Sequence, residues 1–357
     1  MNGGWRVRAA LAADRPAWDA FLASRPEADL LQAWAWGEAA AVTDEVPHRI
    51  VVEEQGVLRG AAQVLVRPAG FGRSVAYVPH GPVWDRSAPD ANELFGTLLE
   101  ALRGLAADER ALVVKIDPRA DPADATDVRG LATNAGLRPG LDLQARTTRL
   151  IDLADGGPRL EASWEPDARN LARRAAREGT TVTISDTADP EQVAILHELI
   201  TRSAGRGTFR VRPLAFLLRL ATELGESGAW QVGIGRVDGT PVAAAALPRL
   251  GQRAYYLYGG TRRDPAYRHH YAAHAVCAEM LRALAAGGCL TVDMWGVAEP
   301  DDPAANPGWR GFSHFKRAFG GRPLRHPGLF DLVVSPFWYR VREARAGLVR
   351  GRGMPAA

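Results

Sequence analysis

The sequence predicts an α+β (mixed α/β) chain built as two tandem domains, each a mixed, mostly antiparallel sheet flanked by helices. Three observations carry that expectation. At 357 residues the chain is long for one domain and ordinary for two. Helical and strand patterns alternate along it, and their order recurs. Corresponding landmarks also sit at similar offsets: Gly56 and Gly239, each in a hairpin signal, are 183 positions apart, and Asp117 and Asp293, each in a strand pattern, are 176 apart.

The first round opens with the helix pattern DRPAWDAFLASR and the strand HRIVVEE. Gln55-Gly56 turns the chain into the strand GAAQVLVRP, and RSVAYVPHGPVWD follows as the next strand. The helix ANELFGTLLEALRGLAAD places Leu94, Leu98, Leu102 and Leu105 on one face, and the strand ALVVKIDP closes the round. The second round opens with the helix PEQVAILHELITRSAG and the strand WQVGIGRV. Asp238-Gly239 is a strong hairpin signal, because both positions tolerate the left-handed backbone of a tight turn. PVAAAALPRL, RAYYLYGG, the helix HYAAHAVCAEMLRALAAGG and the strand LTVDMWGV complete it. Helix, hairpin, helix and strand in that order form the unit of a GNAT-type acyltransferase. The expectation is therefore two tandem GNAT-like domains joined near residues 145–165. The Arg-rich end, FWYRVREARAGLVRGRG, reads as a last helix and a frayed tail.

Composition narrows the class. Apolar residues at 46% and charged residues at 24% are ordinary soluble values. No apolar run approaches the roughly 18 residues of a membrane span. The start, MNGGWRVRAA, lacks the apolar core of a signal peptide, so a cytoplasmic location is the expectation. Cys277 and Cys289 have no metal-ligand spacing and read as structural thiols. The net charge is +3, yet residues 301–357 carry +6 and the remainder −3. A basic end suits nucleic-acid phosphates or an anionic membrane face, although a solvated tail is the simpler reading. Lysine is rare: 42 of the 44 cationic side chains are arginine, leaving only Lys115 and Lys316.

The motif signals are uneven. GNAT enzymes cradle the acetyl-CoA pyrophosphate in an Arg-x-x-Gly-x-Gly/Ala loop at a helix start. Neither GGTRRDPAYRHHYAAH nor GPVWDRSAPDANE has that glycine spacing, so the usual donor is not expected to be bound in the usual way. His270 and His274 are i,i+4 on a helix pattern, but no third ligand accompanies them, and no metal is expected. Arg169, Arg173, Arg174 and Arg177 read as a solvated cationic helix face. Tyr256 and Tyr258 alternate onto one strand face, with Tyr255 on the other. Lys316 stands out. It lies among Phe312, Phe315 and Phe319 and ahead of Gly320-Gly321, where a compact ammonium can be aimed at an oxyanion better than a planar guanidinium.

LLQAWAWGEAA (30–40), YVPHGPVWD (77–85), ARNLARRAAREGTTV, DGTPVAAAAL (238–247), YYLYGG, VDMWGV (292–297) and FSHFKRAFGG together resemble the FemABX family, from about residue 30 to 340. Its members are peptidoglycan cross-bridge aminoacyltransferases. The resemblance implies two GNAT-like domains, 1–150 and 151–335, with the C-terminal helix 336–357 returning to the first. It implies transfer of an aminoacyl group from aminoacyl-tRNA to an amine of a nucleotide- or lipid-linked muropeptide precursor, without coenzyme A. The implied partners are thus the charged tRNA and the precursor, with peripheral contact at the inner membrane face. Phe315-Lys316 matches the Phe-Lys pair that faces the aminoacyl ester, Lys316 stabilising the tetrahedral intermediate and Phe315 walling the pocket. Arg212 and Phe216 fall on an Arg-x3-Tyr pair that holds precursor phosphates, with Phe216 lacking the tyrosine hydroxyl. Tyr256 or Tyr258 matches a precursor-binding tyrosine. Asp85 matches an acidic residue near the incoming peptide, and Tyr77 opens the same segment as a further substrate-binding candidate. Ala39, Ala40 and Ala41 stand where the family often carries a lysine.

The implied mechanism is direct acyl transfer with no covalent enzyme intermediate and no evident dedicated base. Two rival classes remain open to the sequence. One is a GNAT N-acyltransferase using acyl-CoA on a small molecule or polysaccharide. The other is a non-catalytic tRNA- or cell-wall-binding protein.

Overall fold

The computed structural model describes residues 4–120, 122–154, 156–204, 211–262, 264–301 and 307–351. It divides into two compact units, residues 1–144 with 326–357, and residues 145–325.

In the first unit, β1 (Trp5–Ala9), α1 (Arg15–Ala23) and α2 (Trp34–Ala40) precede the hairpin of β2 (Val46–Glu54) and β3 (Val57–Gly70). Gln55 and Gly56 both take positive φ, 49° and 82°, as a two-residue turn requires. β4 (Arg73–Val78), β5 (Val83–Trp84), α3 (Ala91–Asp108), β6 (Ala111–Ile116), α4 (Pro122–Asn134) and β7 (Arg138–Pro139) follow. The segment RSVAYVPHGPVWD is thus two strands rather than one, because the turn at Pro79–Pro82 interrupts it. β4 and β6 pair in parallel, and α3 supplies the crossover that parallel strands need. Its Leu94, Leu98 and Leu102 are buried against Val52, Val64, Val78 and Val114, while Leu105 is half-buried at the edge of that core.

The second unit runs β8 (Thr147–Asp152), α5 (Gly157–Ala162), α6 (Pro166–Arg177), β9 (Thr180–Ser185), α7 (Pro190–Ala204), α8 (Leu214–Gly225), β10 (Val232–Val237) and β11 (Thr240–Ala246). The Asp238-Gly239 turn has φ of 48° and 75°, the same form as its counterpart in the first unit. β12 (Arg249–Leu250), β13 (Arg253–Tyr255), β14 (Tyr258–Thr261), α9 (Ala272–Ala286), β15 (Thr291–Asp293), α10 (Arg310–Ala318) and β16 (Arg322–Arg325) complete it. Here the sheet splits. One half is ordered β14-β11-β10-β9 and the other β12-β13-β15-β8-β16. RAYYLYGG, expected as one strand, is therefore two. β13 pairs in parallel with β15, and β14 pairs antiparallel with β11. Between them the Leu257 N–H donates to the Tyr255 carbonyl (2.7 Å), a tight three-residue turn that redirects the backbone. In the first unit the corresponding β4 pairs with both β3 and β6, so that sheet stays continuous.

The chain then returns to the first unit as β17 (Phe330–Val333), paired with β6 and β7, and α11 (Pro336–Gly351). The return thus includes a strand as well as the expected helix. Lys115 on β6 fastens it: Nζ donates to the Asp331 carboxylate at 2.7 Å, and the Tyr339 hydroxyl donates to the other oxygen at 2.9 Å. Among the described residues, no helix is long and apolar enough to cross a membrane.

Candidate active site

The split in the second sheet is where the chemistry-bearing residues gather. α10 has an amphipathic spacing that turns Phe312, Phe315, Lys316 and Phe319 inward and leaves His314 exposed. Gly320 and Gly321 end it with φ of 82° and 80°. A Cβ on either would sit 2.6–2.7 Å from the backbone oxygens of Ser163 and Leu150, so the chain can enter β16 beside β8 only with glycine there. The pair noticed in the sequence thus fixes where α10 stops and where Lys316 stands.

Lys316 is buried, at 8% exposure. Its Nζ donates to the Gly296 carbonyl at 3.1 Å and lies 5.3 Å from the Phe312 ring centre and 5.5 Å from that of Tyr256. Burial is the largest influence and pushes its ammonium down to about 8, while the nearby Asp293 carboxylate acts to keep it charged. The chain's two lysines are therefore both buried but differ in kind. Lys115 meets a carboxylate at hydrogen-bond distance, whereas Lys316 forms no such ion pair among the described residues. An ammonium has three protons to donate, and Gly296 takes one.

Asp293, at the end of β15, was not picked out in the sequence as a site residue. Its carboxylate accepts from the Trp295 N–H (2.8 Å) and from the Thr148 hydroxyl, which also reaches the Trp295 carbonyl (3.0 Å). These bonds hold the loop Met294–Gly296, in which Trp295 takes a φ of +56°, and so they aim the Gly296 carbonyl at Lys316. The hint was the VDMWGV motif, whose aspartate is fully buried at a strand end. Ser313 and His314 form no nucleophilic pair: the Ser313 hydroxyl accepts from the Ala298 N–H at 2.8 Å.

Phe315 packs against Tyr256 (6.2 Å between ring centres), Phe319 (5.3 Å) and, edge-on, His274 (5.1 Å). Burial takes His274 down to about 4, so near neutral pH it is an uncharged imidazole. His270 instead hydrogen-bonds the Glu178 carbonyl, which separates the roles of the two histidines. Cys277 on α9 is buried near Lys316, and burial pushes its thiol well up. Burial likewise holds the Tyr256 and Tyr258 hydroxyls protonated. Arg212 acts electrostatically on Tyr258 and lies 4.7 Å over the Phe216 ring. Phe216 is fully buried, so it serves as the platform under Arg212. Lys316, Phe315, Tyr256, Tyr258, Arg212 and Phe216 thus all belong to the second unit. The cationic face of α6 is largely engaged locally. Arg174 meets Glu178 at 2.9 Å and Arg173 meets Glu161 at 3.5 Å.

Asp85 and Tyr77 belong to the first unit. Asp85 is held by Arg25 (3.0 Å), Arg59 (3.8 Å) and the Ser87 hydroxyl (2.7 Å). Burial raises its carboxyl, but Ser87 and the arginines outweigh that and leave it below the usual range. The buried Tyr77 hydroxyl donates to Asp117 at 3.1 Å. Beside it lies a buried network in which Asp29 meets Arg119 and His80. Ala39 and Ala40 are fully buried on α2. The cation on that flank is Arg49, 3.8 Å over the Trp34 ring and 3.0 Å from Glu38.

Residues 166–317 match the family model described as an acetyltransferase (GNAT) domain, a span that runs from α6 to α10, leaves β8 and β16 outside and ends one residue past Lys316. Over nearly its whole length the chain is similar to the lipid II:glycine glycyltransferase of Staphylococcus aureus, at 23% identity across 94% of this chain and 95% of the relative. That alignment occupies 410 positions, more than the chain's own length, so the relative carries segments this chain lacks. The fold is similar to that of FemX, with a TM-score of 0.81 at 22% identity, covering 94% of this chain and 99% of that one. It is also similar to a tandem GNAT protein from the clavulanic acid biosynthesis pathway, with a TM-score of 0.57 at 14% identity, covering 93% and 99%. These likenesses bear out the resemblance to the FemABX family and the tandem GNAT-like fold.

Proposed function

We propose that the protein transfers an aminoacyl group from aminoacyl-tRNA to a primary amine on the stem peptide of a peptidoglycan precursor. The observation that carries the reading is the environment of Lys316: a buried ammonium, anchored through one proton to Gly296 and walled by Phe312, Tyr256 and Phe315. Two N–H donors are left to meet an oxygen that becomes negative. In the step proposed, the free amine attacks the ester carbonyl, a C–N bond forms, and the carbonyl oxygen takes the negative charge opposite Lys316. Collapse of the intermediate breaks the C–O bond to the terminal ribose. The proton lost by the amine ends on the departing ribose hydroxyl. No oxidation state changes and no covalent enzyme intermediate is required.

Arg212, with Tyr258 beside it, is proposed to hold precursor phosphates, since a guanidinium braced on a ring offers a planar donor pair. Tyr256 is proposed to orient the precursor beside Phe315. Asp85 is proposed to lie near the incoming peptide, and Tyr77, whose hydroxyl donates to Asp117, is proposed as a further substrate-binding residue. The name of the staphylococcal relatives favours a lipid-linked acceptor.

Acyl-CoA-dependent N-acylation is the second reading, favoured by the GNAT domain match. Against it, residues 261–286, from the end of β14 to the end of α9, contain no glycine to form a pyrophosphate loop. The deciding experiment incubates the protein with a pool of labelled aminoacyl-tRNAs or with acetyl-CoA, offering nucleotide-linked and lipid-linked precursors. A product heavier by one aminoacyl residue, formed only from tRNA, supports the proposal. Acetylated product, or no product from any charged tRNA, would overturn it.

A further inference from the structure

Among the described phenylalanines, tyrosines and tryptophans, only two side chains stand largely in solvent, Phe71 at 65% and Phe337 at 68% exposure. They are 266 positions apart in sequence, yet both reach Trp338. Phe71 stacks on it with ring centres 6.0 Å apart and planes 24° from parallel, and Phe337 meets it edge-on at 5.4 Å. Phe71 occupies the tip of the β3–β4 hairpin, Gly70-Phe71-Gly72, at a φ of +53°. A bulky side chain adopts that conformation at a cost, and a third glycine would make the turn without it. The tip therefore keeps an aromatic ring in water and in an unfavourable backbone geometry at once, which folding of this unit does not call for.

The rim of this patch is cationic. Arg73 lies 5.5 Å over the Trp338 ring. The exposed Arg110 guanidinium comes within about 4 Å of the space beside Gly72. Exposed Arg340 follows Phe337 by three residues on α11 and so shares its face. None of Arg73, Arg110 and Arg340 forms an ion pair with a carboxylate among the described residues. Arg342, further along the helix, is answered by Glu343 at 3.9 Å.

We infer that this patch docks the protein on the surface of an anionic phospholipid bilayer. Phe71 and Phe337 enter the headgroup boundary, Trp338 sits at its level as interfacial tryptophans do, and the three guanidinium groups meet lipid phosphates. A bilayer suits the patch better than a nucleic acid. The rings project from a hairpin tip and a helix start rather than lining a groove, and the Trp338 face is already covered by Phe71. The inference deepens the proposed function by saying how a lipid-borne acceptor is approached, and it rests on that reading only for this purpose.

The test is co-sedimentation of the full-length protein with phosphatidylcholine vesicles containing roughly 30% phosphatidylglycerol, without donor or acceptor. Wild type is expected in the vesicle pellet. The double variant Phe71→Asn, Phe337→Ser is expected to bind about tenfold more weakly or worse, since stable anchoring needs the apolar and the charged signal together. Asparagine tolerates positive φ, so the hairpin survives, and an unchanged melting temperature checks this. Arg73→Gln with Arg340→Gln is expected to reduce binding to the level seen on pure phosphatidylcholine. Transfer to a soluble nucleotide-linked precursor stays at wild-type rate in both variants, which separates failure of the docking surface from failure of the proposed reaction. Wild type that ignores the vesicles, or an aromatic double variant that binds them equally well, overturns the inference. So does loss of tRNA binding in that variant with vesicle binding intact.

Discussion

Replacing Lys316 with methionine is expected to make the protein more stable while it slows transfer by roughly 10²–10³. Methionine keeps the length and volume of the side chain and removes the charge. Burial takes the ammonium from the ordinary 10.5 to about 8. At about 1.4 kcal/mol per unit, that is about 3 kcal/mol of folding free energy given up to keep the group charged near neutral pH. The lost hydrogen bond to Gly296 returns about 1 kcal/mol of this, so a net gain of about 2 kcal/mol is expected at pH 7. For a unit of this size the gain corresponds to a rise of about 4–8 °C in melting temperature. The pH dependence has a definite sign. The folded-state value lies below the unfolded one, so between about 8 and 10.5 the unfolded chain holds the extra proton and wild-type stability rises with pH. The advantage of Lys316→Met is therefore largest below pH 8 and gone above about 10.5. Thermal melts of both proteins at pH 7 and near the alkaline end measure it. A Lys316→Met protein that melts below wild type at pH 7 would refute the reasoning, because Lys316 would then be a net stabilising group.

Asp293→Asn removes the carboxylate that favours the charged form of Lys316, so the alkaline limb of the pH–rate profile should move below about 8; an unmoved limb would show that Asp293 does not act on Lys316. Arg212→Gln should raise KM for the precursor by roughly tenfold to a hundredfold with little change in kcat, as loss of a charge-assisted phosphate contact does. A fall in kcat alone would count against the binding role. Asp29→Ala leaves Arg119 buried without its carboxylate and should destabilise the first unit by about 3–5 kcal/mol, read as a denaturant midpoint. Burial raises the Asp29 carboxyl, but His80 and Arg119 outweigh it and hold it well below the usual range. Its contribution is therefore present above about pH 4 and lost under stronger acid, which acid titration of wild type against the variant would reveal.

The two rounds of elements were legible because their signals are local. Gln55-Gly56 and Asp238-Gly239 demand left-handed backbone, and the leucines of α3 recur at helical spacing. The catalytic candidate was legible for a different reason. Against a background of arginine, a lysine between phenylalanines implies a requirement for that shape of cation. What stayed hidden depends on pairing between distant segments. The break at Tyr256–Leu257 follows from competition between β11 and β15 for one strand, and nothing in YYLYGG marks which residues go to which partner. The β17 strand is four residues long, and its place in the first sheet is secured by Lys115, more than 200 positions away. Asp293 read only as a landmark within the strand LTVDMWGV, since its bonds to Thr148 and Trp295 appear only when β8 and β15 are side by side. The Phe71–Trp338 patch escaped for the same reason.

The central claim is that the Lys316 ammonium stabilises the oxyanion of an aminoacyl transfer. Single-turnover rates of wild type, Lys316→Ala and Lys316→Arg, with preformed aminoacyl-tRNA and precursor, test it most directly. Lys316→Ala is expected to be slower by roughly 10²–10³, the loss typical of one oxyanion donor, with precursor binding retained. Lys316→Arg is expected to recover only part of that rate, because the planar fork cannot take the same position beside Gly296. A Lys316→Ala protein that turns over near the wild-type rate would contradict the account.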